Sequence, residues 1–410
     1  MLAVHPTRGD ERKVWTAGTH RGVSPAETLA RLLPLAPAFG VSRVANVTGL
    51  DHVGIPVVMA VRPNSRSLSV HQGKGATLEA AKASALMEAL EWSAAEAPVG
   101  ERAWVAVAAA GPAAIALPDH LWRGLARPDG AIPWLAGHDI LADRPCLVPE
   151  ELVTTDFTLS RQLEFGWLRA TSNGLGAGNT MAEAVLHALC ELVERDAFAL
   201  WRQAPAAAQA ATRIDPAAMP DETVAGLLSR LDAAAISVEA WDVTSDLAIP
   251  CFHVIIDDRR ARPPFLGRFG GVGCHPNAGV ALCRALAEAA QSRLTLIAGA
   301  RDDIPREAYA LVGRHRSLAS MIVPEAGPPP AGVAWHRAAS FDTPHIDADL
   351  HATLARLAQH SIARIVAVDL TRPDIGVPCV RMIAPDLEGM AHKPGYRPGP
   401  RVRAALRRWS

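Results

Sequence analysis

GNTMAEAVLHALCELVER, Gly178 to Arg195, is spaced as a helix and is apolar almost all the way round. Met181, Ala182, Ala184, Val185, Leu186, Ala188, Leu189, Cys190, Leu192 and Val193 leave no broad polar face, and such a helix is buried against other elements. Yet it carries Glu183, Glu191 and Glu194. A buried carboxylate is costly unless it is paired, hydrogen-bonded or bound to a metal. The fold and the chemistry therefore meet on this one helix.

The stretch has relatives in the same chain. GKGATLEAAKASALMEALE, from Gly73 to Glu91, lies on GAGNTMAEAVLHALCELVE, from Gly176 to Glu194. Gly73 meets Gly176, Thr77 meets Thr180, Ala81 meets Ala184, Ala85 meets Ala188, Glu88 meets Glu191 and Glu91 meets Glu194. A fainter copy, GCHPNAGVALCRALAEAAQ, runs from Gly273 to Gln291, with Asn277 at the threonine position and Glu288 and Gln291 at the two glutamates. A second device also recurs. Segments starting at Asn46, Asp242 and Asp369 each read as an apolar run, a turn rich in Asp, Gly and Thr, and an X-Pro step (Pro56, Pro250, Pro378) into a β-branched run. Proline is tolerated where a strand begins, so each segment predicts a hairpin with a tight turn. Repeated hairpins and buried helices predict an α/β, or α+β layered, fold with internal pseudosymmetry. The expected organisation is a single domain over 13–401, with 1–12 as an extension and 402–410 as a tail. Ala95–Pro118, Pro205–Ala235 and Val323–Val333 read as surface excursions. The Pro-, Gly- and Arg-rich C-terminal stretch reads as a tail lying over the surface or reaching a partner.

Bulk properties narrow the class. The chain has 410 residues, 49% of them hydrophobic, with 41 basic and 42 acidic residues. That balance gives no reason to expect nucleic acid or an anionic membrane as partner. The six cysteines form no C-x-x-C pair and several sit in apolar runs, where thiols behave as small hydrophobes. With no signal peptide and no membrane-spanning stretch, the expected location is the cytoplasm.

Residues three or four apart on a helix share a face, so Glu183, His187, Glu191 and Glu194 form one stripe and Ser84, Glu88 and Glu91 form its counterpart. If the two helices pack as neighbours, four carboxylates converge and require cations. Mg²⁺ suits such hard oxygen ligands together with substrate phosphates. The glycine-rich runs before each helix read as loops that turn N–H groups towards an anion, although neither has the Walker A pattern. Other readings stand beside these. Thr180 and Glu183 also fit a capping box. Glu191 and Glu194 also fit pairs with Arg195 and Arg202 on a wet face. His187 fits packing or a hydrogen bond better than ligation. Lys74 fits either a phosphate contact or a solvated loop.

These motifs, together with RALAEAAQSRL and GARDD, strongly resemble the YcaO family. THRGVSPAETLARLLPLAPAFGVSRVANVTGLDHVGIPVVMAVRPNSRSLSVHQGKG looks like the branch of that family associated with TfuA proteins. The resemblance implies ATP-dependent phosphorylation of a peptide backbone amide oxygen. The product is a thioamide when external sulfide adds, and an azoline when a substrate side chain adds. Residue by residue it implies Glu88, Glu91, Glu191 and Glu194 as Mg²⁺ ligands, with Glu191, Glu194, Arg195 and Gln291 at the reacting centre. It implies Lys13, Arg21, Ser84, Asn179, Glu183 and Glu288 as nucleotide contacts. The end RAALRRWS lacks the proline-rich terminus common in azoline-forming members, and Asp386 stands where glycine is expected. No leader-binding E1-like domain is recognisable. Thioamidation of a peptide or protein with a TfuA-like partner is therefore the expectation, within ribosomal-peptide (RiPP) modification. Azoline formation and a non-catalytic ATP-binding scaffold are the alternatives, and a homodimer is left open.

Overall fold

The computed structural model describes residues 11–124, 126–258, 260, 267–304, 339–360, 362–389 and 396–409. Among the described residues, three antiparallel sheets carry the fold. The first is β1 (Arg43–Asn46), β2 (Val57–Val61) and β3 (Val70–Lys74), in that order. The second runs β11 (Arg268–Cys274), β10 (Cys251–Asp257), β9 (Ser237–Asp242), β8 (Arg213–Ile214). The third runs β4 (Ala103–Ala106), β5 (Ala131–Asp139), β12 (Val366–Asp369), β13 (Cys379–Ile383), β7 (Leu175–Ala177), with β6 (Arg144–Pro149) also on β5. The long helices are α2 (Leu78–Glu96), α5 (Met181–Gln203) and α8 (Ala278–Ala298). Around them lie α1 (Pro25–Leu32), α3 (Glu150–Val153), α4 (Leu159–Phe165), α6 (Ala206–Ala210), α7 (Glu222–Ala233), α9 (Ile346–Gln359) and α10 (Pro400–Trp409).

The repeats seen in the sequence are one structural unit used three times. Each long helix starts at the aligned polar residue: Thr77, Thr180 and Asn277 are N-caps whose side chains accept from the third helical N–H. Each hairpin is held by the threonine two residues after Asn46, Asp242 or Asp369. Thr48, Thr244 and Thr371 donate N–H to that side chain (3.1, 3.0 and 2.8 Å). Their hydroxyls then accept from Val57, Cys251 and Cys379 at the start of the return strand. The connections are longer than the expected tight turns, and this side-chain staple, not a short turn, sets the register. Two residues beyond each proline, Val58, Phe252 and Val380 stand opposite Gly73, Gly273 and Gly176 of a third strand. A Cβ at those glycines would strike Ala81 and Ala85, Ala281 and Ala285, or Ala184 and Ala188. So of the five glycines expected in anion-binding loops, Gly73 and Gly176 sit in strands, where they let the helix cross the sheet closely, while Gly75, Gly174 and Gly178 lie just outside β3 and β7.

The units close into a ring. Helix α2 packs on β3 and touches β7; α5 packs on β7 and touches β11; α8 packs on β11 and touches β3. The hairpin that completes β7 and α5 is β12–β13, which follows them in the chain, whereas the other two hairpins precede their helices. Two expected excursions are part of the fold. Pro205–Ala235 contains β8 and α7, whose Val224, Leu227 and Leu231 are buried in the core with α8. Ala95–Pro118 contributes β4 and the buried Ala95 and Ile115. Val323–Val333 lies outside the described residues. The C-terminal stretch forms α10, which packs on α5 through buried Val402. The six cysteines are buried free thiols. Among the described residues no helix is long and apolar enough to cross a membrane.

Candidate active site

Where the three helices face one another they line a cavity of about 1380 Å³. Each E-x-x-E or E-x-x-Q pair is positioned by strands. Glu191 accepts from Gly174 N just before its own strand β7 (2.8 Å). Glu91 reaches the neighbouring unit and accepts from Ala177 N of β7 (2.7 Å). Gln291 reaches the next unit in the same way, donating to Gln72 O of β3 (2.8 Å). Glu91 and Gln291, the second members of their pairs, thus tie one unit to the next, and all six residues line the cavity.

The electrostatics are those of carboxylates crowded out of bulk water. Burial pushes Glu88 up to about 7. Burial and then the neighbouring Glu88 push Glu91 up to about 8. Burial also raises Glu194 to about 7, against the pull of Arg195. Arg195 holds Glu194 at 3.0 Å and Glu191 at 3.2 Å. Burial opposes its charge, but these two glutamates and Glu288 outweigh that and raise its pKa. Its Nε is buried without a partner. Lys74 ends strand β3 and is not a solvated loop residue: its Nζ meets Glu288 at 2.7 Å and Gln291 at 3.1 Å. Burial disfavours ionised Glu288, yet Lys74 and Arg195 overcome this and hold its pKa low.

The other expected residues divide. Ser84 and Asn179 line the cavity. Glu183 is committed to structure: it accepts from Gly22 N (2.7 Å) and from Asn179 N (2.9 Å). The capping box is therefore half realised, because Thr180 caps Glu183 N while the carboxylate bonds one residue before the cap. Arg21 lines the cavity, with Nε 3.8 Å from Glu183. Lys13 does not line it; its Nζ is buried against Asp349 (2.6 Å) and Asp342 (3.3 Å). His187 takes a hydrogen-bond contact with Arg284 (3.2 Å) and is not part of a metal cluster. Several further arginines line the cavity that the sequence reading did not single out, among them Arg284, Arg301 and Arg381. Arg284 lies one helical turn before Glu288, Arg301 is the arginine of GARDD, and Arg381 interrupts an apolar strand. Each of those is a readable signal.

Among the described residues no group of three or more His, Cys, Asp or Glu closes into a metal cage. The carboxylates come instead as pairs, two on α2 and two on α5. That donor set fits Mg²⁺, which keeps waters and shares itself between one or two carboxylates and substrate phosphates. Arg195, Arg284 and Lys74 line the same cavity as cations beside these carboxylates.

A family model described as YcaO cyclodehydratase, ATP- and Mg²⁺-binding, matches residues 72–388. The chain is 38% identical over 379 residues to an uncharacterized protein in the tfuA 3′ region of Rhizobium leguminosarum bv. trifolii, covering 90% of this chain and 88% of that one. It is 31% identical to an uncharacterized protein of Methanothermobacter thermautotrophicus, covering 94% and 99%. Among solved structures it resembles the YcaO protein of Methanopyrus kandleri bound with AMPPCP and Mg²⁺, with TM-score 0.71, 23% identity, and 92% and 95% coverage. It also resembles a heterocyclase in complex with substrate and cofactor, with TM-score 0.75 and 22% identity. The match covers 93% of this chain, which spans about half of that heterocyclase (54%).

Proposed function

The chain belongs to the YcaO family, whose cofactors are ATP and Mg²⁺, and on that premise we propose that it activates a peptide backbone amide for thioamide formation. The observation that carries the proposal is the ring of helices that turns Glu88, Glu91, Glu191 and Glu194 into one cavity with Lys74 and Arg195. Bound MgATP would supply the phosphoryl group that converts the amide oxygen, a very poor leaving group, into a good one. In this reading the four glutamates hold Mg²⁺. Arg195, fixed between Glu191 and Glu194, presents its buried Nε and offsets negative charge developing nearby. Lys74 holds Glu288 ionised and orients Gln291. The surrounding helices leave these groups only partly exposed, which strengthens each of these interactions relative to open water.

The thioamide product with a TfuA-like partner is supported by the relative in the tfuA 3′ region. Azoline formation is the second reading, supported by the family description as cyclodehydratases. The test is reconstitution with a candidate peptide, MgATP, sulfide and a TfuA-like protein. Mass spectrometry should show exchange of one oxygen for sulfur; loss of one water without sulfur would replace the thioamide reading by the azoline one. Glu191→Gln and Glu88→Gln should stay folded and lose about 10²–10³-fold in turnover. Near wild-type turnover in either variant would remove that residue from the proposed machinery.

A further inference from the structure

Beyond the carboxylates the cavity lining takes in the segment 169–173 together with Arg123 and Arg397, and the three arginines gather into a second lobe. The first two are fixed by a short antiparallel bridge between Trp122 and Leu168. Arg169 N donates to Leu121 O (2.8 Å) and Arg123 N to Trp167 O (2.9 Å). Their stems are then pinned a second time: Arg123 Nε donates to Leu168 O (3.0 Å) and Arg169 Nε to Trp122 O (3.2 Å). Pinning through Nε leaves the terminal nitrogens of each guanidinium directed elsewhere. Arg397 reaches the same place, with an Nη2 3.5 Å from Arg123 O.

Three guanidinium groups share this lobe without an ion pair among the described residues. Burial, then Arg397 and Arg123, lower the pKa of Arg169, as expected where cations crowd one another. The nearby acids form no ion pair with them among the described residues. Glu388 is taken up by Tyr396 OH (2.7 Å), Gly399 N (2.8 Å) and Val402 N (2.9 Å). Glu151 accepts from Leu168 N (2.8 Å), and burial pushes it up to about 7 against the pull of that N–H and of Arg123, with which it forms no ion pair among the described residues. Between this lobe and the carboxylates stands buried Arg381. It donates to Leu152 O and Thr171 O, and its Nη1 is buried without a partner.

We propose that the Arg123–Arg169–Arg397 lobe binds a carboxylate of the peptide substrate, so that the enzyme selects peptides with an anionic group a few residues from the amide it activates. The inference rests on the function proposed above and adds to it the chemistry of the substrate. The chemical warrant is that guanidinium forks pair carboxylates in bidentate fashion. The spacing warrant is the segment from Arg169 to Gly174, whose N–H holds Glu191. Five residue steps span at most about 17 Å. A peptide laid along that wall therefore brings its anion to the arginines within about five residues of an amide at the carboxylates.

The experiment uses the full chain and three peptides of about six residues. One carries a Glu and an amidated end. One carries Gln in its place with the same amidated end. The third is the Gln peptide with a free C-terminal carboxylate. Each is titrated by calorimetry into wild type, Arg169→Gln/Arg397→Gln and Arg169→Lys/Arg397→Lys, with and without Mg²⁺ and a non-hydrolysable ATP analogue. Wild type should bind an anionic peptide at least about tenfold more tightly than the neutral one. Whether the Glu side chain or the free terminus gives that gain identifies the source of the carboxylate. The Gln double variant should lose the preference and the Lys variant should keep most of it, with thermal midpoints confirming that both are folded. Equal binding of charged and neutral peptides by wild type, or no binding of any of them, overturns the proposal. So does a preference that survives in the Gln variant. A fall in nucleotide-analogue affinity matching the loss of peptide would assign the arginines to the triphosphate and also overturn it. Absence of nucleotide binding to wild type counts against the proposed function alone, because the peptide preference is also read without nucleotide.

Discussion

Glu91 shows how one residue can serve both the fold and the site. Its Oε1 accepts from Ala177 N and ties α2 to the neighbouring unit, while burial and Glu88 raise its pKa from 4.5 to about 8. Between those two values the folded protein holds a proton that the unfolded chain releases. The contribution of this group is therefore fully present below its ordinary pKa and is lost as pH rises through about 8. Glu91→Gln keeps the acceptor and removes the titration. In EDTA, the variant should gain stability relative to wild type between about pH 5 and pH 8, on the order of 2–4 kcal/mol, read from urea midpoints. With Mg²⁺ present the gain should shrink or reverse, because ionised carboxylates hold the cation. A pH-independent difference in EDTA would show that Glu91 is not strained by burial.

At the scale of the element, the repeated glycine is where strand and helix meet. A Cβ on Gly73 would run into the backbone of Ala81 and Ala85, neither of which can turn aside as a flexible side chain could. Gly73→Ala should cost about 1–3 kcal/mol or more, through displacement of α2 from β3. Gly226 is the control: it sits inside α7 with open space around its Cβ position. Gly226→Ala should stabilise by about 0.5–1 kcal/mol from helix propensity alone. If both substitutions shift the thermal midpoint equally, close packing is not the reason for the glycine in β3.

For the molecule as a whole, the C-terminal helix closes one side of α5. Arg401 Nε donates to buried Asp196 (2.8 Å) and a terminal nitrogen meets Asp246. Burial pushes Asp196 up to about 6 despite Arg401. Removing the arginine leaves a carboxylate buried without its cation, which costs about 3–5 kcal/mol where no relief is possible. Arg401→Met should therefore lower stability, and more at about pH 8 than at about pH 5, where Asp196 can take up a proton. Asp196→Asn with Arg401→Met should recover part of the loss. An unchanged unfolding midpoint in Arg401→Met would show that the Arg401–Asp196 pair contributes nothing to the docking of α10.

The sequence by itself determined the repeating unit. Buried helices, their Thr77, Thr180 and Asn277 caps, the prolines before return strands and the E-x-x-E pairs all follow from patterns within a few residues, and they recur at aligned positions. Gly73 and Gly176 were visible but misassigned to loops, because a glycine that admits a crossing helix looks in sequence like one that turns a chain. Lys13 was visible too, but its partners Asp342 and Asp349 lie far along the chain. Only the tertiary structure decided that β12–β13 completes the unit of α5, although it follows that helix in the chain. Only the closed ring decided that six positions on three helices share one cavity. Hairpins and helices are selected by local hydrogen bonds and apolar spacing. Pairing between distant segments is selected by strand and core complementarity, and closing a long connection costs only slightly more than closing a short one. Chain order therefore does not announce the partner. The same holds for Arg123, Arg169 and Arg397: three separate surface-type residues in sequence become one charged lobe only after the fold has brought them together.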